Sequence, residues 1–465
     1  MEGERKNARS ICESIGMQRL SPPQTRLATG NRVYHYHEDM QVSAAPSRVL
    51  SFEEARSLVE EHAAQVSPGS DTGRFEDIDL LQAAGRVLAA SITADRDIPP
   101  FPRSTRDGYA VCAADLARLP ASLKMVGEIK AGPHPGQLEL EVKRGEAISI
   151  MTGAPVPPGA DAVVMVEYTS LTGDCVQVTR GASRGENIVP RGAEAAGGGL
   201  LLEAGRRLNE TAIALAASVG KSRLRVFARP RIAVLTTGDE IVAVDANPGP
   251  AQIRNSNSYS LAVQIEAAGG EPVLLPVAPD EPQKLRQLME EGLRSDLLIM
   301  TGGVSMGRYD LVEQELAELQ AEFFFTGAKI QPGKPVVFGR VPRRPGAPAG
   351  ESSHKYFFGL PGNPVSTMVT FELFARPMLE ALAGMAPRPM AFLHVRLNSE
   401  IRVKTGLKRF LPAILSGAYE DSRVELVPWQ GSGDIAAQAR ANCYVVIPPD
   451  REHIAAGEWV AVMLR

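Results

Sequence analysis

A chain of 465 residues, 44% hydrophobic and 22% charged with a formal net charge of -4, has the composition of a soluble globular protein of about three domains, four if some are small. No basic stripe dominates, so nucleic acid is not an expected partner, and no run approaches the roughly 18 apolar residues of a membrane span or the apolar core of a secretory signal. The expectation is a cytoplasmic protein whose separated cysteines, Cys12, Cys112, Cys175 and Cys443, are reduced structural thiols.

Residues 1–47 carry scattered charge and little apolar periodicity, which predicts a flexible arm, and the alternating His35 and His37 within it read as solvated rather than metal-bound. Ser51-Phe-Glu-Glu54 is a capping-box pattern opening a helix with Phe52, Ala55, Val59 and His62 on one face; a second short helix is expected near Ile78 to Ala84. The prolines of Asp97-Ile-Pro-Pro-Phe-Pro102 then forbid a helix interior, and Asp107-Gly108 is a turn before a strand. Short β-rich runs broken by Gly and Pro continue to Gly199, whereas helical pattern resumes at Asn209 and stops at Gly220. This predicts a small β domain, 97–199, inserted into a helical linker domain made of 48–96 and 200–228.

From 229 to 384 strands and helices alternate, the signature of a parallel, helix-covered sheet in a three-layer α/β domain. The expected strands are Ile232 to Leu235, Val273 to Pro276, Leu297 to Met300, Val336 to Phe338 and Tyr356 to Phe358. Helices are expected near Tyr259 to Ala268, Pro282 to Leu293, Leu311 to Leu319 and Pro364 to Leu382. After Gly384 the period reverts to two, and residues 385–465 read as a C-terminal β domain.

Three of the apolar strands run into Gly-rich polar turns: Thr237-Gly-Asp-Glu240, Thr301-Gly-Gly-Val-Ser305 and Leu360-Pro-Gly-Asn-Pro364. Strands of one parallel sheet deliver all three to one edge, where open α/β sheets bind their ligands. Pro364 suits the first position of a helix whose free amides face an anion, and Lys334, caged by Pro332 and Pro335, adds a point charge. Asp239, Glu240 and Asp310 would repel such an anion unless a cation intervenes, which suggests Mg²⁺ bridging them to phosphate oxygens.

The ordered set Asp107-Gly-Tyr-Ala, Met151-Thr-Gly-Ala-Pro-Val-Pro-Pro-Gly-Ala-Asp, Thr237-Gly-Asp-Glu, Thr301-Gly-Gly-Val-Ser-Met-Gly, Pro332-Gly-Lys-Pro and Gly359-Leu-Pro-Gly-Asn-Pro-Val-Ser366 resembles the molybdopterin molybdenumtransferases, the MoeA proteins and the E domain of gephyrin. The likeness runs from about Arg48 to the C-terminus. It implies a molybdopterin-binding type of α/β domain and a β-barrel-like C-terminal domain. The implied activity inserts molybdate into adenylylated molybdopterin with Mg²⁺-dependent release of AMP. It also implies a homodimer in which the β domain of one subunit faces the α/β site of the other. Molybdopterin adenylyltransferase and downstream molybdenum-cofactor enzymes are the further partners implied. Carried over by position, Asp239, Glu240 and Asp310 are the metal and phosphate-cleavage carboxylates. Lys334, Ser305 and Ser366 contact the oxyanion, with Gly302, Gly303, Gly362 and Asn363 forming the turns around it. Asp107, Thr152 and Glu194 face the cleft from the β domain, and Arg409 and Ser432 bind anion from the C-terminal domain.

Three departures stand out: Pro102 where the family often has Asp, Arg106 where Met is common, and Gln331 in place of the first lysine of Lys-Pro-Gly-Lys. Pro102 and Gln331 favour one alternative, a non-catalytic scaffold that binds the nucleotide-pterin without turnover. A second alternative is a serine hydrolase, since Gly303-Val-Ser-Met-Gly307 is a literal G-x-S-x-G with His354, His394 and His453 downstream. A third, the adenylylating enzyme itself, is opposed by the extra β domains.

Overall fold

The computed structural model describes residues 48–66, 75–132, 135–303, 311–342 and 353–465; the expected arm 1–47 with His35 and His37, and the candidates Ser305 and Asp310, lie outside them. Helix α1 (Phe52–Gln65) opens on the expected capping box, with Ser51 Oγ accepting from the Glu54 amide at 3.2 Å and Glu54 Oε2 accepting from the Ser51 amide at 2.8 Å. Its apolar face does not join the linker. Phe52 lies 6.0 Å from Phe374 and 5.3 Å from Phe410, so α1 is built into the core of the α/β domain.

That domain contains β1 (Arg231–Thr236), α2 (Asn257–Ala268), β2 (Glu271–Leu274), α3 (Pro282–Gly292), β3 (Leu297–Thr301), α4 (Leu311–Glu318), β4 (Glu322–Phe325), β5 (Ile330–Gln331), β6 (Val337–Pro342), β7 (His354–Leu360), α5 (Pro364–Thr370) and α6 (Arg376–Leu382). Its six-stranded sheet has the order β2-β1-β3-β7-β6-β4. The first four strands are parallel, β6 runs antiparallel to β7, and β4, antiparallel to β6, returns to the direction of the first four. Hence the expected strand at Val336 to Phe338 exists but reverses direction, because only a short connection separates it from β7, and β4 was not anticipated. Side chains alternate as the pleat requires. Ile232, Val234, Ile299 and Phe358 face a core shared with α1, α2, α5 and α6, while Ala233, Leu235, Leu298, Met300 and Phe357 face a second core under α3 and α4. The expected helix from Pro364 to Leu382 is continuous but holds one π-helical turn, Phe371–Ala375, between α5 and α6.

The expected helix near Ile78 is instead a strand, Phe75–Asp79, followed by the single 3-10 turn Leu80–Ala83. It pairs antiparallel with Arg223–Phe227, with Asp79 meeting Arg223 and Asp77 meeting Arg225 across the pair, both at 3.0 Å. The acids Asp77 and Asp79 are cross-strand partners. Residues 97–199 hold a six-stranded mixed sheet around Gly108–Val111 and Glu146–Ile150, entered and left through the paired strands Ile92–Thr93 and Leu200–Leu202. At the C-terminal end β8 (Leu393–Leu397), β9 (Lys408–Ser416), β10 (Arg423–Leu426), β11 (Cys443–Ile447) and β12 (Trp459–Leu464) close a five-stranded barrel in the order β9-β10-β8-β12-β11, with β11 pairing back to β9. Among the described residues no helix is long and apolar enough to cross a membrane.

Candidate active site

Strands β1, β3 and β7 are neighbours in parallel register, with Thr236 opposite Thr301 and Thr301 opposite Leu360, so the three Gly-rich turns leave the same edge. Gly302 and Gly303 have φ of 89° and 60°, conformations that favour residues without a Cβ. Their own Cβ positions are closed as well: one added at Gly302 would sit 2.4 Å from the Thr237 carbonyl oxygen, and one at Gly303 2.8 Å from Thr237 Oγ1. Gly362 abuts the same turn, its Cβ position 3.4 Å from Gly302 Cα. Buried side chains lock the turns together. Asn257 at the start of α2 donates through Nδ2 to Thr301 Oγ1 at 3.0 Å and to the Gly362 carbonyl at 2.8 Å, and Thr301 Oγ1 donates to the Pro361 carbonyl at 3.1 Å.

One end of this edge is acidic. Asp239 Oδ1 accepts from the Asp280 amide at 3.1 Å, and the Glu240 carboxylate folds back over Gly238, where an added Cβ would lie 2.4 Å from Oε2. Partial desolvation, then the charges of Asp239 and Glu240, push the Asp280 carboxyl above the usual range although its side chain is exposed. Asp280 was not anticipated. Its signal is the turn Ala278-Pro-Asp-Glu281 after β2, a fourth strand end at this edge. Among the described residues no set of three or more His, Cys, Asp or Glu is arranged to hold a metal ion.

The other end is basic. Lys334 follows β5 and is exposed, and its carbonyl accepts from the Ala328 amide at 3.0 Å. The preceding Gly333 packs along α5, its Cβ position 2.3 Å from Thr370 Cγ2 and 3.6 Å from the Ser366 carbonyl oxygen, which keeps the Lys334 turn against that helix. Ser366 itself is 4% exposed. The barrel closes over this point: Asn363 Nδ2 donates to Ser432 Oγ at 2.9 Å, and the Val365 amide donates to the Ser432 carbonyl at 3.0 Å. β5 pairs with β9, placing Gln331 opposite Arg409. Arg409 is 5% exposed and donates from Nε to Gln331 Oε1 at 2.8 Å and from Nη1 to the Leu407 carbonyl at 3.1 Å. Lys334, Ser366, Ser432 and Arg409 are thus gathered from two domains.

The remaining candidates form their own group in the inserted segment. Asp107 Oδ1 accepts from the Thr152 amide at 2.7 Å and from Thr152 Oγ1 at 2.8 Å, and these two bonds hold its carboxyl below the usual range. Glu194 accepts from Arg103 Nη2 at 2.6 Å, and the Glu194 amide donates to the Ile98 carbonyl at 2.8 Å. All of these contacts lie within residues 97–199. The structure therefore assembles two polar groups in one chain, the sheet edge with its barrel cover and the Asp107–Thr152–Glu194 surface.

A Gly-rich parallel edge with an acidic end and a basic end, beside a closed five-stranded β barrel, defines a multidomain α/β protein. Comparison with known proteins is more specific. Residues 50–220 match the MoeA N-terminal region (domain I and II), 233–381 a domain described as "probable molybdopterin binding domain", and 394–464 the MoeA C-terminal region (domain IV). The chain is 34% identical over 398 residues to the molybdopterin molybdenumtransferase of Nostoc sp., covering 83% of this chain and 88% of the relative. It is 31% identical to that of Synechococcus elongatus, covering 89% and 99%. Among solved structures it resembles a molybdopterin biosynthesis MoeA protein from Pyrococcus horikoshii, with a TM-score of 0.70, 28% identity and coverage of 90% of this chain and 100% of that one. The chain belongs to the molybdopterin molybdenumtransferase family.

Proposed function

We propose that this protein is a molybdenum insertase of cofactor biosynthesis, which takes molybdate into adenylylated molybdopterin and releases AMP. The observation that carries the reading is the gathering of Lys334, Arg409, Ser366 and Ser432 at one end of the Gly-rich edge, with Asp239 and Glu240 at the other. Molybdate, a compact doubly charged oxyanion, suits the cationic end, where Lys334 and Arg409 supply charge-assisted hydrogen bonds and the two serines supply hydroxyl donors. The glycine turns let backbone amides approach the phosphate of a nucleotide-pterin, and the buried Asn257 bridge keeps those turns from drifting apart.

Mg²⁺ fits the acidic end by the chemistry of its donors. Asp239 and Glu240 offer hard carboxylate oxygens, and Mg²⁺ takes one or two such groups while keeping water and substrate phosphate for the rest. The Asp280 carboxyl is raised by partial desolvation first and then by the charges of Asp239 and Glu240, so those two carboxylates add negative potential at that point. Bound there, the ion would neutralise charge on the leaving phosphate. We further propose a homodimer working in the cytoplasm, in which Asp107, Thr152 and Glu194 of one subunit face the edge of the other, since all their contacts in a single chain stay within 97–199. Exchange with a molybdopterin adenylyltransferase and with molybdenum-cofactor enzymes belongs to the same reading.

The hydrolase alternative is opposed by geometry. His354 begins β7 and therefore stands at the opposite end of that strand from Leu360 and the Gly-rich edge, while His453 is bonded to Glu400 at 2.9 Å in the barrel segment. The direct test incubates purified protein with adenylylated molybdopterin, molybdate and Mg²⁺ while AMP is measured. Molybdate-dependent AMP release is expected; release indifferent to molybdate, or none, would overturn the assignment.

A further inference from the structure

Arg409 is an unusual side chain for its surroundings. It is 95% buried, yet both groups that accept its hydrogen bonds are neutral, the amide oxygen of Gln331 and the carbonyl of Leu407. No carboxylate pairs with it among the described residues. An isolated buried cation is costly, and a guanidinium held this way keeps its full charge for an outside anion. Its second terminal nitrogen, Nη2, has no acceptor among the described residues and is not one of the sealed polar atoms that lack a partner, so it keeps contact with solvent. What fixes its direction is Gln331. The β5–β9 pairing sets Gln331 opposite Arg409, and with Nε bonded to Gln331 at 2.8 Å and Nη1 to the Leu407 carbonyl, only Nη2 is left for an outside acceptor.

We propose that Gln331 is a positioning residue for oxyanion binding: as a neutral acceptor on Nε it orients Arg409, so that one aligned guanidinium and Lys334 do the work that the family assigns to a further lysine. This rests on the insertase reading. A lysine at 331 could not accept from Nε, so the departure from Lys-Pro-Gly-Lys is more than the loss of a charge; it exchanges a direct contact for alignment of a buried one. A glutamate at 331 would pair with Arg409 and neutralise it, whereas a methionine keeps the length of the side chain but offers no comparable acceptor.

The test is calorimetric titration of the full-length protein with molybdate, beside its Gln331→Met, Gln331→Glu and Arg409→Ala variants, with AMP titrated as a second ligand and thermal unfolding followed on each. Gln331→Met is expected to weaken molybdate binding roughly 3- to 10-fold, the worth of one oriented hydrogen bond, and leave AMP affinity unchanged. Gln331→Glu is expected to weaken it more than Gln331→Met, because a carboxylate paired with Arg409 stays ionised and takes the place of the oxyanion. A purely structural role for Gln331 would lower thermal stability and both affinities together, without the ranking of Glu below Met. If Arg409→Ala loses molybdate binding but neither Gln331 variant does, the positioning role is wrong and the insertase reading stands. If the unaltered protein binds no molybdate, or Arg409→Ala leaves binding intact, the oxyanion site itself is misplaced.

Discussion

The close backbone approach at Gly302 leads to a graded expectation for three glycines of the edge, Gly302, Gly303 and Gly362. Alanine at Gly302 must adopt φ near 89° and bring its Cβ to 2.4 Å from the Thr237 carbonyl oxygen, a backbone atom held by the sheet. The left-handed conformation costs about 1 to 2 kcal/mol, and forcing a methyl into filled space adds about 1 to 3, for a total of about 2 to 5 kcal/mol. At Gly303 the φ of 60° carries a similar conformational cost, but the nearest atoms, Thr237 Oγ1 at 2.8 Å and Val312 Cγ2 at 3.0 Å, are ends of side chains that can shift. About 1 to 2 kcal/mol is expected there. Gly362 lies outside the left-handed region, and the nearest atom, at 3.4 Å, is in ordinary contact, so its alanine variant should stay within about 0.5 kcal/mol of the original. Urea unfolding of the three variants, followed by far-UV circular dichroism, should rank their midpoints 302 lowest, then 303, then 362. Equal midpoints for Gly302→Ala and Gly362→Ala would refute the reasoning, since only the first brings its Cβ into a backbone clash, the second reaching ordinary contact distance.

Lys334→Ala is expected to weaken molybdate binding by about 1.5 to 3 kcal/mol, with less effect on the larger nucleotide-pterin, as calorimetry with each ligand would reveal. Glu240→Gln should nearly stop AMP release while adenylylated molybdopterin still binds, whereas Ser305→Ala should retain measurable turnover; the opposite ranking in one AMP assay would restore the hydrolase alternative. Asp280 has a carboxyl raised by burial, Asp239 and Glu240, so its ionised form opposes folding. That penalty is absent below the unfolded value of 3.8 and sets in as pH rises through the folded one, so Asp280→Asn should stabilise the protein at pH 7 and much less at pH 4, by an amount that solvent screening keeps small. Urea midpoints at both pH values decide it, and a larger gain at pH 4 would contradict the sign. Burial pushes the Cys443 thiol up to about 11, so at pH 8 a thiol reagent should modify Cys112 and Cys175 first and reach Cys443 only on unfolding, as peptide mapping would report.

What the sequence revealed about this molecule follows how local each signal is. The runs from Ile232, Leu297 and Tyr356 are continuous because their strands are buried on both faces, and a continuous apolar run ending in Gly is readable without its neighbours. Strand direction is not local. Nothing in Val337–Pro342 says that it pairs antiparallel with β7, and β4 is hidden because its consecutive phenylalanines lack a two-residue period. The barrel strand Lys408–Ser416 shows the same limit: its charged start, Lys408 and Arg409, gives no local sign of burial, although Arg409 is buried against β5. In the same way Lys334 and the glycine turns were legible as site residues from their own motifs. The dependence of Arg409 on Gln331 and the place of Asp280 beside Asp239 needed partners 78 and 41 residues away, respectively.

The order of the strands explains how one edge serves both an anion and a set of carboxylates. The acids follow β1 and β2, the glycine turns follow β3 and β7, and Lys334 precedes β6, whose first residue, Val337, lies opposite Gly359 at the end of β7. Three strand spacings separate β1 from β6, roughly 14 Å at about 4.8 Å each. That exceeds the screening length of about 8 Å at physiological ionic strength, so the carboxylates repel an oxyanion at Lys334 only weakly. A single small ligand cannot bridge such a distance, whereas an adenylylated pterin laid along the edge can place its phosphate near the acidic end and its reactive sulfurs near the basic one. The neutral glycine turns between them then serve as more than spacers. They are the part of the edge where backbone can approach a ligand without adding charge of either sign, which keeps the two ends electrostatically distinct.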